Sequence, residues 1–131
     1  MIGKTKKRMM IGMIKCFTFE SIYKKQIEFQ KEVCKKAPYE FAVLNVPEDN
    51  VKAFSFHIQQ LMSEIGEVLN ADKRWKNFRN KKLDKENKKE EIADCFIVLM
   101  NVAIFSGLSP QELEETIINK MDENAKRVQS L

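Results

Sequence analysis

Glycine and proline are scarce in this 131-residue chain, four and three respectively, too few turn formers for a protein built mainly of β-strands. Cysteine is scarce too: Cys16, Cys34 and Cys95 are an odd number without C-x-x-C spacing, and Cys95 lies in the most apolar segment. That argues against a disulfide framework or a thiolate zinc site and fits a reducing, cytoplasmic setting. Histidine occurs once, at His57, so a di-iron bundle with paired Glu-x-x-His motifs is excluded. The longest apolar run, residues 95–105, is interrupted by Asn101. It is about half of the roughly 20 residues that cross a bilayer, and no membrane association is expected.

The chain is instead rich in Lys, Glu, Leu, Met and Ile in long stretches, with 44% hydrophobic residues overall. This composition predicts a single all-α domain. The basic start, Lys4, Lys6, Lys7 and Arg8 ahead of Met9 to Ile14, superficially looks like a signal peptide. Its apolar stretch is short, contains Gly12 and runs into Lys15 without a cleavage site. Residues 1–15 are therefore expected to be a disordered basic leader, with the domain spanning residues 16–131.

Four helices are predicted. Thr18 caps the first, which runs to about Lys36 with Phe19, Ile22, Tyr23, Ile27 and Phe29 or Gln30 near a stripe expected to pack. Asp49 or Asn50 caps the second, which runs to about Asp72 with Phe54, Ile58, Leu61, Ile65 and Val68 on its expected core side. A basic, aromatic segment from Lys73 to Lys82 reads as a loop. The third helix runs from Asp84 to Gly107 and is apolar nearly all round after Glu91, so it is either central or covered by a second subunit. Ser109, Pro110 and Glu112 form a capping-box signature for a fourth helix ending near Val128, with Leu113, Ile117 or Ile118, Met121 and Ala125 as its core positions.

Four carboxylates stand out against this frame. Glu64 and Glu67 on the second helix, and Glu91 and Asp94 on the third, are each spaced three residues apart and so share a helix face. Like charges placed this way repel, by roughly 0.2 to 0.5 kcal/mol per pair. A single such pair is usually part of a solvated face, but here both pairs flank apolar stripes. Facing each other they would form an all-oxygen site suited to a hard cation, Mg²⁺ or Mn²⁺ rather than zinc. Mg²⁺ recruits substrate phosphates, which makes a nucleotide the natural ligand. Lys120, Asn124 and Arg127, a polar stripe on the fourth helix, would neutralise phosphate oxygens, with the basic loop that includes Lys76 closing over them.

In this order of motifs the chain resembles the all-α nucleoside triphosphate pyrophosphohydrolases of the MazG and dimeric dUTPase type. Their signature, Glu-Glu-x-x-Glu followed later by Glu-x-x-Asp, corresponds to Ser63-Glu64-Ile65-Gly66-Glu67 and Glu91-Ile92-Ala93-Asp94. A Lys-x-x-x-Asn-x-x-Arg pattern common in MazG-like members appears at Lys120, Asn124 and Arg127, and the likeness covers roughly residues 18–129. The resemblance implies a homodimer or homotetramer and Mg²⁺-dependent cleavage of a nucleoside triphosphate between its α and β phosphates, giving monophosphate and pyrophosphate. It implies Glu64, Glu67, Glu91 and Asp94 as metal ligands, with a glutamate of the first pair orienting the attacking water or accepting its proton. Ser63 stands where the family pattern has its first Glu, so a base at that position is missing.

Base recognition leaves alternatives. His57 and Gln60 lie on the stripe of Glu64 and Glu67, where each either hydrogen-bonds a nucleobase or finishes the core edge. Trp75 either stacks on a base or anchors its loop. Asn101, two turns beyond Asp94, contacts ribose or phosphate or bonds across a subunit boundary. Competing functions are phosphoribosyl-ATP pyrophosphohydrolysis, a helical interaction module without catalysis, and a basic helical nucleic-acid-binding protein. The last is suggested by the +4 net charge, but it leaves the carboxylates without a purpose.

Overall fold

The computed structural model describes residues 17–36, 47, 49–76 and 83–131. The expected leader and the segment between the first two helices lie outside them, apart from residues 47, 49 and 50. Among the described residues, four α-helices follow one another: α1 (Phe19–Lys36), α2 (Val51–Ala71), α3 (Lys85–Ile104) and α4 (Pro110–Gln129), with a 3₁₀ turn at Lys73–Trp75. The fold is all-α.

Each helix starts where a short polar side chain satisfies the first free amides. The Ser21 amide donates to Thr18 Oγ1 at 3.0 Å, the Ala53 amide to Asn50 Oδ1 at 3.0 Å, and the Asn87 amide to Asp84 Oδ1 at 3.1 Å. At α4 the box closes in both directions, the Glu112 amide donating to Ser109 Oγ at 3.1 Å and the Ser109 amide to Glu112 Oε2 at 2.8 Å. Helix α3 ends in a turn at Gly107, whose φ of +75° favours glycine. A Cβ there would also meet the Asp49 backbone nitrogen at 3.3 Å.

The core gathers at that end of α3. Tyr23, Ile27 and Cys34 of α1 pack with Ala53 of α2, Ala103 and Ile104 of α3, and Phe105 just beyond it. Tyr23 is fully buried, and its hydroxyl donates to the Leu108 carbonyl at 2.7 Å, which ties α1 to the α3–α4 turn. The Asn50 amide donates to the Phe105 carbonyl at 2.9 Å, and Asp49 pairs with Ser106 in an isolated antiparallel bridge. The start of α2 is thus held against the end of α3, so the two helices run antiparallel.

Two core assignments made from periodicity need correction. On α2, Phe54 and Ile65 are 38% and 49% exposed, and Ile58, Leu61 and Val68 are only half-buried. The residues it buries are Ala53, His57 and Ala71. The helix is rotated so that the stripe carrying His57 and Glu64 faces α3, and the apolar stripe is left half-buried to exposed. On α4, Leu113 packs against the core, but Ile117, Ile118, Met121 and Ala125 are exposed. A 20-residue helix is about 30 Å long, and only its first turn is held, where Gln111 Nε2 donates to Glu20 Oε1 at 2.8 Å. On α3, Val98, Asn101, Ala103 and Ile104 are buried, while Phe96 is 66% exposed. No described helix is long and apolar enough to cross a membrane.

Replacing Tyr23 with Phe removes one donor and strands the Leu108 carbonyl. The variant is expected to lose about 1 to 2 kcal/mol of stability, read as a lower urea midpoint with unchanged m-value; an unchanged midpoint would contradict the role given to this bond.

Candidate functional site

The antiparallel pairing of α2 and α3 brings their carboxylate-bearing turns side by side. Glu64, Glu91 and Asp94 each present an oxygen such that the three atoms lie within 4.8 Å of one another. Oxygens on opposite sides of a Mg²⁺ ion, with ligand distances near 2.1 Å, stand about 4.2 Å apart. At most one pair of the three can stand trans and the others must close to about 3.0 Å, so the carboxylates would draw together to share one ion, and their hard oxygens match that chemistry. Glu67, one turn from Glu64 and exposed, lies outside this converging set. Its charge is nonetheless felt at Glu91. The Glu91 carboxyl is pushed above its ordinary value first by burial and then by the charges of Glu67, Asp94, Glu64 and Glu90. Cys95, next along α3, is pushed up by burial and by Glu64, Asp94 and Glu91.

A cavity of about 250 Å³ adjoins the carboxylates along both helices. Gln60 and His57 line it from α2, and Ile97 and Asn101 from α3. Gln60 is one turn from Glu64 and Ile97 one turn from Asp94, so about 5 to 6 Å of helix axis separates cavity from cluster. The opposite wall comes from α1: Gln26, Phe29, Gln30, Val33 and Cys34. That wall is missed when α1 is read as packing alone. The signal available in the sequence is Gln26 and Gln30, four apart on the buried side of an amphipathic helix, where amides need partners. Gln26 Nε2 donates to Asn101 Oδ1 at 2.8 Å, and Gln30 and Asn101 are both buried.

Of the two roles open to His57, the structure supplies observations for each. The ring is buried, lies parallel to Phe105 at 5.0 Å between centroids, meets Phe56 edge-on at 5.1 Å, and pairs through Nδ1 with Gln60 Oε1 at 3.2 Å. It also lines the cavity. Burial holds its pKa below the usual value, partly opposed by Gln60, so the neutral ring prevails at pH 7.

The remaining candidates lie apart from this cavity. Trp75 is exposed and donates its indole N–H to the Leu69 carbonyl at 3.2 Å, which anchors it to the last turn of α2. Lys76 lies over the same ring, 5.5 Å from its centroid. Lys120, Asn124 and Arg127 are exposed on α4, and Lys120 pairs with Glu123 at 2.9 Å. Within one copy of the chain, α4 packs on α1, and these three residues are not among the groups gathered around the carboxylates.

A carboxyl whose pKa is raised by folding favours the fold below its ordinary pKa, and that contribution is lost as pH rises through the raised value. At pH 7 the clustered charges therefore oppose folding, and a bound cation relieves them. Mg²⁺ at ten times its dissociation constant is expected to add about 1.4 kcal/mol, raising the melting temperature by about 4 °C. Glu91→Gln is expected to melt higher than wild type without metal and to lose the response to Mg²⁺. Equal Mg²⁺ responses in the two proteins, by differential scanning fluorimetry, would contradict the cluster as a cation site.

The fold, the oxygen cluster and the amide-lined cavity are joined by one comparison. A family model described as dUTPase matches residues 18–130, while no curated protein and no solved structure matches the chain. The match takes in all four helices, both carboxylate pairs and the cavity between them, and the chain accordingly belongs to the all-α dUTPase-like family of nucleotide pyrophosphohydrolases.

Proposed function

We propose that this protein is a Mg²⁺-dependent pyrophosphohydrolase that cleaves a pyrimidine deoxynucleoside triphosphate between its α and β phosphates, yielding monophosphate and pyrophosphate. The observation that carries the reading is the convergence of Glu64, Glu91 and Asp94 oxygens within 4.8 Å, one turn from a cavity lined by amides and aromatic rings. That cavity, at about 250 Å³, is smaller than the roughly 300 to 1,000 Å³ usual for drug-sized ligands. It suits a single-ring base, and the description of the matching family names dUTP hydrolysis.

In this reading Glu64, Glu91 and Asp94 hold Mg²⁺, or Mn²⁺ in its place, at the phosphate end of the substrate. The ion supplies charge neutralisation and lowers the pKa of a bound water. Glu67, exposed and outside the converging set, orients the attacking water and accepts its proton; Ser63 carries no carboxylate to do so. The amides of Gln26, Gln30, Gln60 and Asn101 present both donors and acceptors to the base edge, and Phe29 and Phe56 offer apolar ring surface. His57, neutral and stacked on Phe105, shapes the floor.

The assembly is a homodimer or homotetramer. Met62 and Leu69 on α2, Phe96 and Leu99 on α3, and Met121 and Val128 on α4 are each at least half exposed, more apolar surface than a monomer ordinarily leaves in water. Lys120, Asn124 and Arg127 reach phosphate oxygens in that assembly, since α4 of a single chain packs on α1.

Incubation with ribo- and deoxynucleoside triphosphates, with Mg²⁺ or chelator, tests the reaction. Monophosphate and pyrophosphate are expected only with metal, fastest from dUTP or dCTP; orthophosphate as product, or pyrophosphate from phosphoribosyl-ATP alone, would refute the assignment. Asn101→Ala is expected to raise KM about tenfold, the loss of roughly 1.4 kcal/mol of hydrogen bonding, with kcat little changed.

A further inference from the structure

Beyond the cluster itself, we propose that the Asp72–Lys88 ion pair is a positioning device, holding α2 against α3 so that Glu64, Glu91 and Asp94 converge. The inference rests on those three residues binding a divalent cation. Asp72 follows directly on α2, and Lys88 lies in the first turn of α3, one turn ahead of Glu91. Lys88 Nζ meets Asp72 Oδ2 at 2.7 Å, and the Asp72 side chain is only 15% exposed. Arg74 holds the same carboxylate with a two-pronged grip, Nε to Oδ1 and Nη2 to Oδ2, both at 2.8 Å. Together these bonds keep Asp72 ionised far below the ordinary carboxylate range. Arg74 is two residues from Asp72 and fixes it locally, whereas Lys88 spans the connection between the helices.

The opposite end of the helix pair is already tied by the Asn50 to Phe105 backbone bond and the Asp49–Ser106 bridge. The carboxylates sit between the two ties, nearer the Asp72 end. Like charges there push the helices apart, and the tie opposes that motion where the lever is shortest. The pair is part-buried, so its loss is expected to lower stability as well, and metal affinity is the readout that separates positioning from stability alone.

The test is titration of the metal-free full chain with Mn²⁺, read by electron paramagnetic resonance of the free ion, with circular dichroism to verify the helices. D72N and K88M are each expected to weaken Mn²⁺ binding roughly tenfold, the smaller end of what losing a group that orients metal ligands costs, and K88R to bind as wild type. K88M leaves the Asp72–Arg74 grip intact and carries the test should D72N unfold. Wild-type affinity in either neutralised variant, or K88R binding as weakly as K88M, would overturn the positioning role. A wild-type chain that binds no Mn²⁺ would instead overturn the cation site.

Discussion

The packing of α2 on α3 through a face that carries charge is the constraint on which the rest of this structure depends. A helix pair normally meets through its apolar stripes. Here α2 turns Ala53, His57, Glu64 and Ala71 toward α3 and leaves Met62, Ile65 and Leu69 substantially exposed. Burial of Glu91 and the neighbouring charges of Glu67, Asp94 and Glu64, which together raise its carboxyl, work against that contact. It is offset by the buried cluster around Tyr23, Ile104 and Phe105, by the backbone bond from Asn50 to Phe105, and by Asp72 with Lys88 at the far end. An arrangement that costs stability in the free protein and gains it with a cation is what binding chemistry requires of a site that must not collapse beforehand.

The same rotation of α2 has two further consequences. It places Gln60 and His57 opposite Gln26 and Gln30 of α1, so that a cavity with amide groups set among apolar walls opens between three helices. It also sends apolar side chains outward from α2, matching the exposed Phe96 and Leu99 of α3 and the exposed stripe of α4. Active-site polarity and unburied apolar surface are thus two sides of one geometric choice. In the proposed assembly a second copy of the chain would cover that surface and bring Lys120 and Arg127 of α4 to a carboxylate site.

Local structure was legible in the sequence because caps act over three or four residues. Thr18 and Ser109 stand where a cap was expected, Asn50 is the one of the two residues offered for α2 that caps it, Asp84 caps the helix expected to start near it, and the helices end near the expected points. The spacing of Glu64 with Glu67, and of Glu91 with Asp94, put each pair on one helix face, but it did not say that Glu64 without Glu67 would converge with the second pair. Which face of α2 turns inward was not, because periodicity identifies an apolar stripe without saying whether this chain or another covers it. The α1 wall of the cavity escaped for a related reason: Gln26 and Gln30 acquire meaning only beside Asn101, seventy or more residues away. Trp75 illustrates the limit from the other direction. Its basic surroundings left base stacking and loop anchoring both open, and the Leu69 carbonyl at the end of α2 lies within reach of its indole N–H and holds it there.

The measurement that bears most directly on this account is anomalous diffraction from crystals grown with Mn²⁺ and a non-hydrolysable deoxyuridine triphosphate analogue. The account predicts a manganese peak bounded by Glu64, Glu91 and Asp94 and bridged to the phosphates, with the uracil in the cavity between Gln30, Gln60 and Asn101. Manganese bound elsewhere, or phosphates seated away from the three carboxylates, would contradict it.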